Sequence, residues 1–174
     1  MMDIKLVLSD LDGVWTDGGM YYDNKDNEFK KFCTSDSAGV LYLRKYDIPV
    51  GIITGEDTEI VRRRIEKLKI PHLFMGARNK LKIAHDLCSR LDISLSEEVA
   101  YIGDDIIDVA LLQRVKISAV PAGTPEYVAK HATWKLAKRG GEGAFREFAE
   151  RLLDHYGMLD EAVDHYINYF NNAE

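Results

Sequence analysis

The stretch that most constrains this chain is Lys5 to Asp17, KLVLSDLDGVWTD. An apolar run from Ile4 to Leu8 leads straight into two carboxylates, Asp10 and Asp12, and then into Gly13. Strands buried on both faces read as such continuous runs, which predicts a central parallel strand delivering both acids at its carboxyl end. Open α/β sheets bind their ligands there. The two-residue step keeps both side chains on one side of an extended segment, and the glycine permits a sharp turn and close approach of a ligand. Two acids held that close repel, so a cation is expected between them. A single DxDG on its own reads more simply as a strand end followed by an acidic turn.

Later strand ends carry matching chemistry. Ile48 to Ile53 predicts a second buried strand closed by Thr54-Gly55, and His72 to Met75 a short third one. Lys80 opens a helix through Leu91, contrary to the usual dipole preference, and such local conflicts often mark function. Val99 to Ile102 predicts a fourth strand, running into Gly103, Asp104 and Asp105 with Asp108 beyond, and Ile117 to Val120 a fifth. Helices are predicted from Val40 to Tyr46, Glu59 to Leu68, Asp105 to Gln113 and up to Tyr156, with a single turn at Ser94 to Glu97. A short helix opens on Pro125 at its first position. Ala132 to Trp134 reads as an edge strand. Alternating strands and helices imply a doubly wound α/β fold, a parallel sheet covered by helices on both faces.

Between the first strand and its helix, Met20 to Asp23 and Glu28 to Cys33 flank the turn residues Asn24 to Asn27, which predicts a β-hairpin insertion over about 16–33. An isolated hairpin is marginal unless something covers its apolar face. Placed just after the acidic turn, it can shelter a site or pair with neighbouring subunits.

At 174 residues the chain suits one domain with one well-buried core, ending in a tail over about 157–174. A net charge of −6 without a basic block argues against a nucleic-acid partner. Cys33 and Cys88, expected in a strand and a helix, have no metal-ligand spacing and read as buried free thiols. No long uncharged apolar run and no signal peptide are evident, so no membrane association and a cytoplasmic location are expected.

In this order, DLDGV at Asp10 to Val14, Thr54, Lys80 and GDD at Gly103 to Asp105 resemble the four motifs of the haloacid dehalogenase-like phosphatases. DGVWTDGGMYYD, SDSAG at Ser35 to Gly39, TGE, and RGGEGAFRE at Arg139 to Glu147 resemble its small capless branch, which acts on phosphorylated 2-keto-3-deoxy sugar acids. The resemblance spans about Lys5 to Leu153. It implies no cap domain, a hairpin that builds a homotetramer, and active sites closed by neighbouring subunits.

Phosphate monoesters need a nucleophile, a proton donor for the leaving oxygen, and positive charge. Asp10 would attack phosphorus and form an aspartyl-phosphate, and Asp12 would protonate the departing hydroxyl and then take a proton from water. The resemblance implies the same roles, and gives Mg2+ held by Asp10, Asp104 and the backbone oxygen of Asp12. Thr54 would donate to a phosphoryl oxygen and Lys80 would neutralise charge, with backbone amides near Leu11 and Gly55 completing an anion nest. One of Asp105 and Asp108 is expected to orient Lys80 or a metal-bound water, the other to be plain helix N-terminal charge.

For the substrate, Glu56 with Lys67 resembles the branch acting on the nine-carbon 2-keto-3-deoxynononate 9-phosphate of sialic-acid-type synthesis. The alternative is the eight-carbon KDO 8-phosphate of lipopolysaccharide precursor synthesis. Arg64 is structural or substrate-facing, and Arg139 reaches a neighbour's site or lies in a solvated turn. A signalling receiver domain shares an Asp, Thr, Lys and Mg2+ set, but holds its phosphoacceptor mid-chain and lacks the second acid two residues on. An idle assembly domain would have no need of every one of these chemical groups.

Overall fold

The structure, a computed structural model, describes residues 2–172. Among the described residues there are eight strands: β1 (Leu6–Ser9), β2 (Tyr21–Tyr22), β3 (Glu28–Phe29), β4 (Val50–Ile53), β5 (His72–Phe74), β6 (Val99–Ile102), β7 (Ile117–Val120) and β8 (Trp134–Lys135). The helices are α1 (Asp36–Lys45), α2 (Glu59–Lys67), α3 (Lys80–Leu91), α4 (Leu95–Glu98), α5 (Val109–Leu112), α6 (Glu126–Ala129), α7 (Ala144–His155) and α8 (Leu159–Asn171). Six strands form one parallel sheet in the order β5-β4-β1-β6-β7-β8, and β2 with β3 forms a separate antiparallel hairpin.

The chain builds outward from β1 to β4 and β5, then returns to the other side of β1 for β6, β7 and β8. Loops leaving β1 and its neighbours therefore diverge, and the crevice between them is where a doubly wound sheet takes its ligand. β1 is paired on both sides, with Ser9 opposite Ile52 of β4 and Ile102 of β6.

Alternation along β1 divides the core in two. Leu6 and Leu8 join Val99, Tyr101 and Val120 in packing against α3, α5 and α6. Val7 points the other way, into a cluster with Ile52, Ala100, Val61 and Ile65 of α2, and Phe145 and Phe148 of α7. The SDSAG segment explains how α1 meets α7. Asp36 is fully buried and its Oδ1 accepts from the backbone N–H of Arg146 in the first turn of α7. Burial pushes the Asp36 carboxyl up to about 6, against the opposing pull of that backbone bond and of Arg64.

Several element ends differ from the sequence expectation. α1 starts at Asp36 rather than Val40. Ile48 and Pro49 precede β4 rather than belonging to it. The helix expected over Asp105 to Gln113 is a 3-10 turn, Ile106–Asp108, followed by α5, because Asp105 and Asp108 cap the turn reciprocally. Pro125 is the N-cap of α6, not its first residue. The edge strand is Trp134–Lys135, slightly later than expected. Cys33 is half-buried outside any strand, and Cys88 is buried in α3.

Tail residues 159–171 form α8, whose Tyr166 donates to the backbone oxygen of Leu41 in α1. No helix among the described residues is long and apolar enough to cross a membrane.

Candidate active site

The carboxyl ends of β1, β4 and β6 surround a cavity of about 310 Å3 lined by Asp10, Asp12, Thr54, Gly55, Glu56, Asp104 and Asp105, among others. The parallel ladder carries one residue past β1, where the Asp10 N–H donates to the Ile102 carbonyl at 2.9 Å. The nucleophile candidate thus inherits the rigidity of the sheet centre. Just behind it, Ser9 Oγ receives the Trp15 indole N–H at 2.9 Å, and Trp15 stacks on Phe145 with ring centroids 4.1 Å apart.

Gly13 is obligatory for this turn. Its φ is +80°, and a Cβ there would lie 1.9 Å from Asp104 Oδ2. Only a residue without a side chain lets the β1 and β6 loops close to this distance. The RGGEG turn is pressed against the same loop, since a Cβ on Gly140 would fall 2.0 Å from the Gly13 carbonyl oxygen.

Asp10, Asp104 and Asp108 bring carboxylate oxygens within 4.8 Å of one another. Lys80 enters from the start of α3, its side chain fully buried, and its Nζ lies 2.8 Å from Asp10 Oδ1 and 2.7 Å from Asp108 Oδ1. The lysine at a helix N-terminus, unfavourable for the helix, is explained by these two acids. Burial alone would depress its ammonium, but Asp10 and Asp108 more than offset that and hold it above its usual range. One cation among three acids leaves surplus negative charge. Burial, reinforced by Asp108, pushes Asp10 up to about 8 and Asp104 up to about 7.

Asp108 is the residue that orients Lys80. Both its oxygens are consumed: Oδ1 by Lys80 and the Tyr101 hydroxyl, Oδ2 by the backbone N–H groups of Asp104 and Asp105. Asp105 caps the 3-10 turn through Ile106 N and lines the cavity. Asp104 Oδ1 and Asp12 Oδ2 are buried without a partner. The orphaned Asp104 oxygen, beside the raised acids Asp10 and Asp104, is what a hard divalent cation satisfies, so this donor set fits Mg2+.

Thr54 is buried at the end of β4 and lines the cavity, as do Gly55 and Glu56. Two expectations, for Leu11 and Lys67, are corrected, and Arg64 takes the structural one of its two alternatives. The Leu11 amide is not available to an anion, because it donates to Asp10 Oδ1 at 2.7 Å and steadies that carboxylate instead. Arg64 is directed to the hairpin return, with its guanidinium 5.7 Å from the Phe32 ring and Nη2 donating to the Cys33 carbonyl, and it does not line the cavity. Lys67, two turns beyond the start of α2, borders a different groove with Ser37, Arg44 and Lys69. Arg139 lines a second cavity of about 250 Å3 that shares Gly13, Gly18 and Asp104 with the first.

Two contributors escape motif reading. Tyr101 appears in sequence only as part of an apolar strand, yet its hydroxyl holds Asp108. Lys30 follows β3 on the hairpin and reaches Asp12 Oδ1 at 2.8 Å, a contact that no spacing rule announces.

Fold and site together define a class: a doubly wound hydrolase with a paired-aspartate, cation-binding phosphoryl site at the switch point. No protein-family model matches the chain. The 3-deoxy-D-manno-octulosonate 8-phosphate phosphatase KdsC of Escherichia coli is 39% identical over 160 residues, covering 92% of this chain and 85% of that protein. The Haemophilus influenzae protein of the same name is 37% identical over 155 residues, covering 89% and 86%. Among solved structures, the Moraxella catarrhalis 3-deoxy-D-manno-octulosonate 8-phosphate phosphatase, in complex with magnesium ion, phosphate ion and KDO, superposes with a TM-score of 0.90. It is 31% identical and covers 94% of each chain. The chain therefore belongs to the capless haloacid dehalogenase-like phosphatases, in the branch of the KDO 8-phosphate phosphatases. It is a phosphomonoesterase of the aspartate-nucleophile type.

Proposed function

We propose that this chain hydrolyses KDO 8-phosphate, using Mg2+ and an aspartyl-phosphate on Asp10. The observation that carries the reading is the buried Asp10–Lys80–Asp108 array beside Asp104, opening on the same cavity as Asp12 and Thr54. The eight-carbon substrate is supported by the names of the relatives and by the KDO held in the Moraxella structure. The nine-carbon reading rested on Glu56 acting with Lys67, and only Glu56 borders the cavity.

Asp10 attacks phosphorus as the ester oxygen leaves. Asp12 gives that oxygen a proton, then removes one from the water that cleaves the aspartyl-phosphate. Thr54 donates a hydrogen bond to a phosphoryl oxygen, and Lys80, fixed by Asp108, balances charge beside the nucleophile. Asp10, Asp104 and the Asp12 backbone oxygen would hold Mg2+, which supplies further positive charge to the phosphoryl oxygens. Asp105 lines the entrance, Gly55 and Glu56 meet the sugar acid, and Arg139 reaches the adjoining cavity. Arg64 and Lys67 would contribute only where a neighbouring subunit brings sites together.

The same reading makes the protein a cytoplasmic homotetramer. Its support is the exposed apolar side chains of the hairpin, with Met20 and Tyr22 each 64% exposed and Phe29 56%. Phosphate release from KDO 8-phosphate and 2-keto-3-deoxynononate 9-phosphate, with Mg2+ and with EDTA, tests the assignment, with Asp10→Asn as control. Higher kcat/KM on the eight-carbon ester, abolished by EDTA and by the substitution, is expected. Preference for the nine-carbon ester would restore the Glu56 argument, and no Mg2+-dependent release from either would remove the substrate class.

A further inference from the structure

Lys30 belongs to none of the motifs that resemble the family, yet its side chain is only 5% exposed and ends on Asp12. Its Nζ donates to Asp12 Oδ1 at 2.8 Å, and Thr16 Oγ1 donates to the same oxygen at 3.0 Å. The other oxygen, Oδ2, is buried and has no partner. One carboxylate oxygen is thus held from two sides while its twin is left for other chemistry.

The hairpin does not need this bond to stay attached. Tyr21 donates to Asp17 Oδ2 at 2.6 Å, Lys31 lies 3.7 Å from the same atom, and Thr16 bridges to Phe32. Adjacent lysines therefore divide between two carboxylates. Lys31, 56% exposed, takes the outer acid, and Lys30, its side chain 5% exposed, takes the one that lines the catalytic cavity. An exposed ion pair holds little, whereas a desolvated lysine on a carboxylate fixes its direction.

We propose that Lys30 is a positioning residue for the reaction: with Thr16 it occupies Oδ1 of Asp12 and assigns proton exchange to Oδ2. This rests on the acid–base role given to Asp12 above. In the first displacement the Oδ2 proton passes to the ester oxygen as the P–O bond breaks and the Asp10–P bond forms. In the second, a water oxygen bonds to phosphorus as the Asp10–P bond breaks, and the water proton goes to Oδ2. The hairpin thereby joins the catalytic machinery.

The test compares kcat/KM on two esters, because that quantity covers leaving-group departure. An alkyl ester, KDO 8-phosphate, needs its departing oxygen protonated, whereas p-nitrophenyl phosphate releases a stable anion and needs little help. Asp12→Asn and Lys30→Met are each expected to lower kcat/KM on the alkyl ester about 100-fold, the lower end of general-acid contributions, and on the aryl ester less than about tenfold. Lys30→Arg should recover most of the loss, and the retained aryl activity shows that Lys30→Met folds. If Asp12→Asn discriminates between the esters and Lys30→Met lowers both equally, Lys30 only anchors the hairpin and the proposal fails. It fails equally if Lys30→Met changes neither ester. If Asp12→Asn does not discriminate, the acid–base role of Asp12 is wrong and the Lys30 assignment falls with it.

Discussion

Asp10 and Asp12 are two residues apart in the chain and are held by different parts of the molecule. Asp10 continues the β1–β6 ladder, is 5% exposed, and is paired with Lys80 inside the layer between sheet and α3. Asp12 lies past the ladder and takes its side-chain partners from Thr16 and from Lys30 of the hairpin. The nucleophile candidate belongs to the fold common to doubly wound sheets, and the acid candidate depends on an insertion. Breaking the array around the first should cost folding as well as chemistry, and loosening the hold on the second chemistry alone.

Breaking the inner array is expected to have the largest effect. Lys80→Met removes the only cation among Asp10, Asp104 and Asp108 and leaves buried acids uncompensated. Chemical denaturation at neutral pH without Mg2+ should show a loss of roughly 3–5 kcal/mol, the usual result of removing one partner of a buried pair. Lys30→Met, measured in the same way, should lose well under half of that. Equal losses would erase the distinction between the two regions.

Metal and pH sharpen it further. Asp10 and Asp104 are raised to about 8 and about 7, so the folded metal-free protein binds more protons than the unfolded chain, whose carboxyls titrate near the ordinary Asp value. Their contribution to stability is fully present below the unfolded pKa, near 4, and is lost as pH rises through about 7 and about 8. A divalent cation replaces those protons. The rise in Tm on adding Mg2+ is therefore expected to be small at pH 5 and large at pH 8, and Asp104→Asn should flatten the difference. A Tm increment independent of pH would contradict the raised carboxyls.

The smallest effect is expected at Lys67, exposed on α2 and bordering a groove away from the cavity. Lys67→Ala should change kcat/KM by no more than about twofold, the range of ordinary surface substitutions. A larger loss would show that a neighbouring subunit carries it into a site.

Sequence legibility follows the same division. β6 and β7 and the start and end of α3 match expectation residue for residue, because continuous apolar runs and a helical stripe state them directly. Asp10, Thr54 and Asp104 are legible since each follows such a run, and Lys80 since it opens a helical stripe against the usual charge preference. The Lys30 contact spans 18 residues and depends on where a two-residue β-strand pair points, which no periodicity encodes. The motif position of Leu11 predicts an anion-binding amide, but the amide is spent on the neighbouring carboxylate. Lys67 fits the helix pattern, yet it borders a groove with Ser37 and Arg44 and not the cavity. The Asp105 and Asp108 ambiguity was real in one dimension, and burial resolved it by giving Asp108 four donors.

The most direct test of the account is to find where the phosphoryl group goes. Enzyme mixed with Mg2+ and KDO 8-phosphate, quenched in acid faster than one turnover and reduced with borohydride, would be mapped by peptide mass spectrometry. The residue at position 10 alone should carry the signature of a reduced aspartyl-phosphate, and Asp10→Asn none. Phosphate release with the signature on another carboxylate, or with no covalent species on the chain at any quench time, would contradict it.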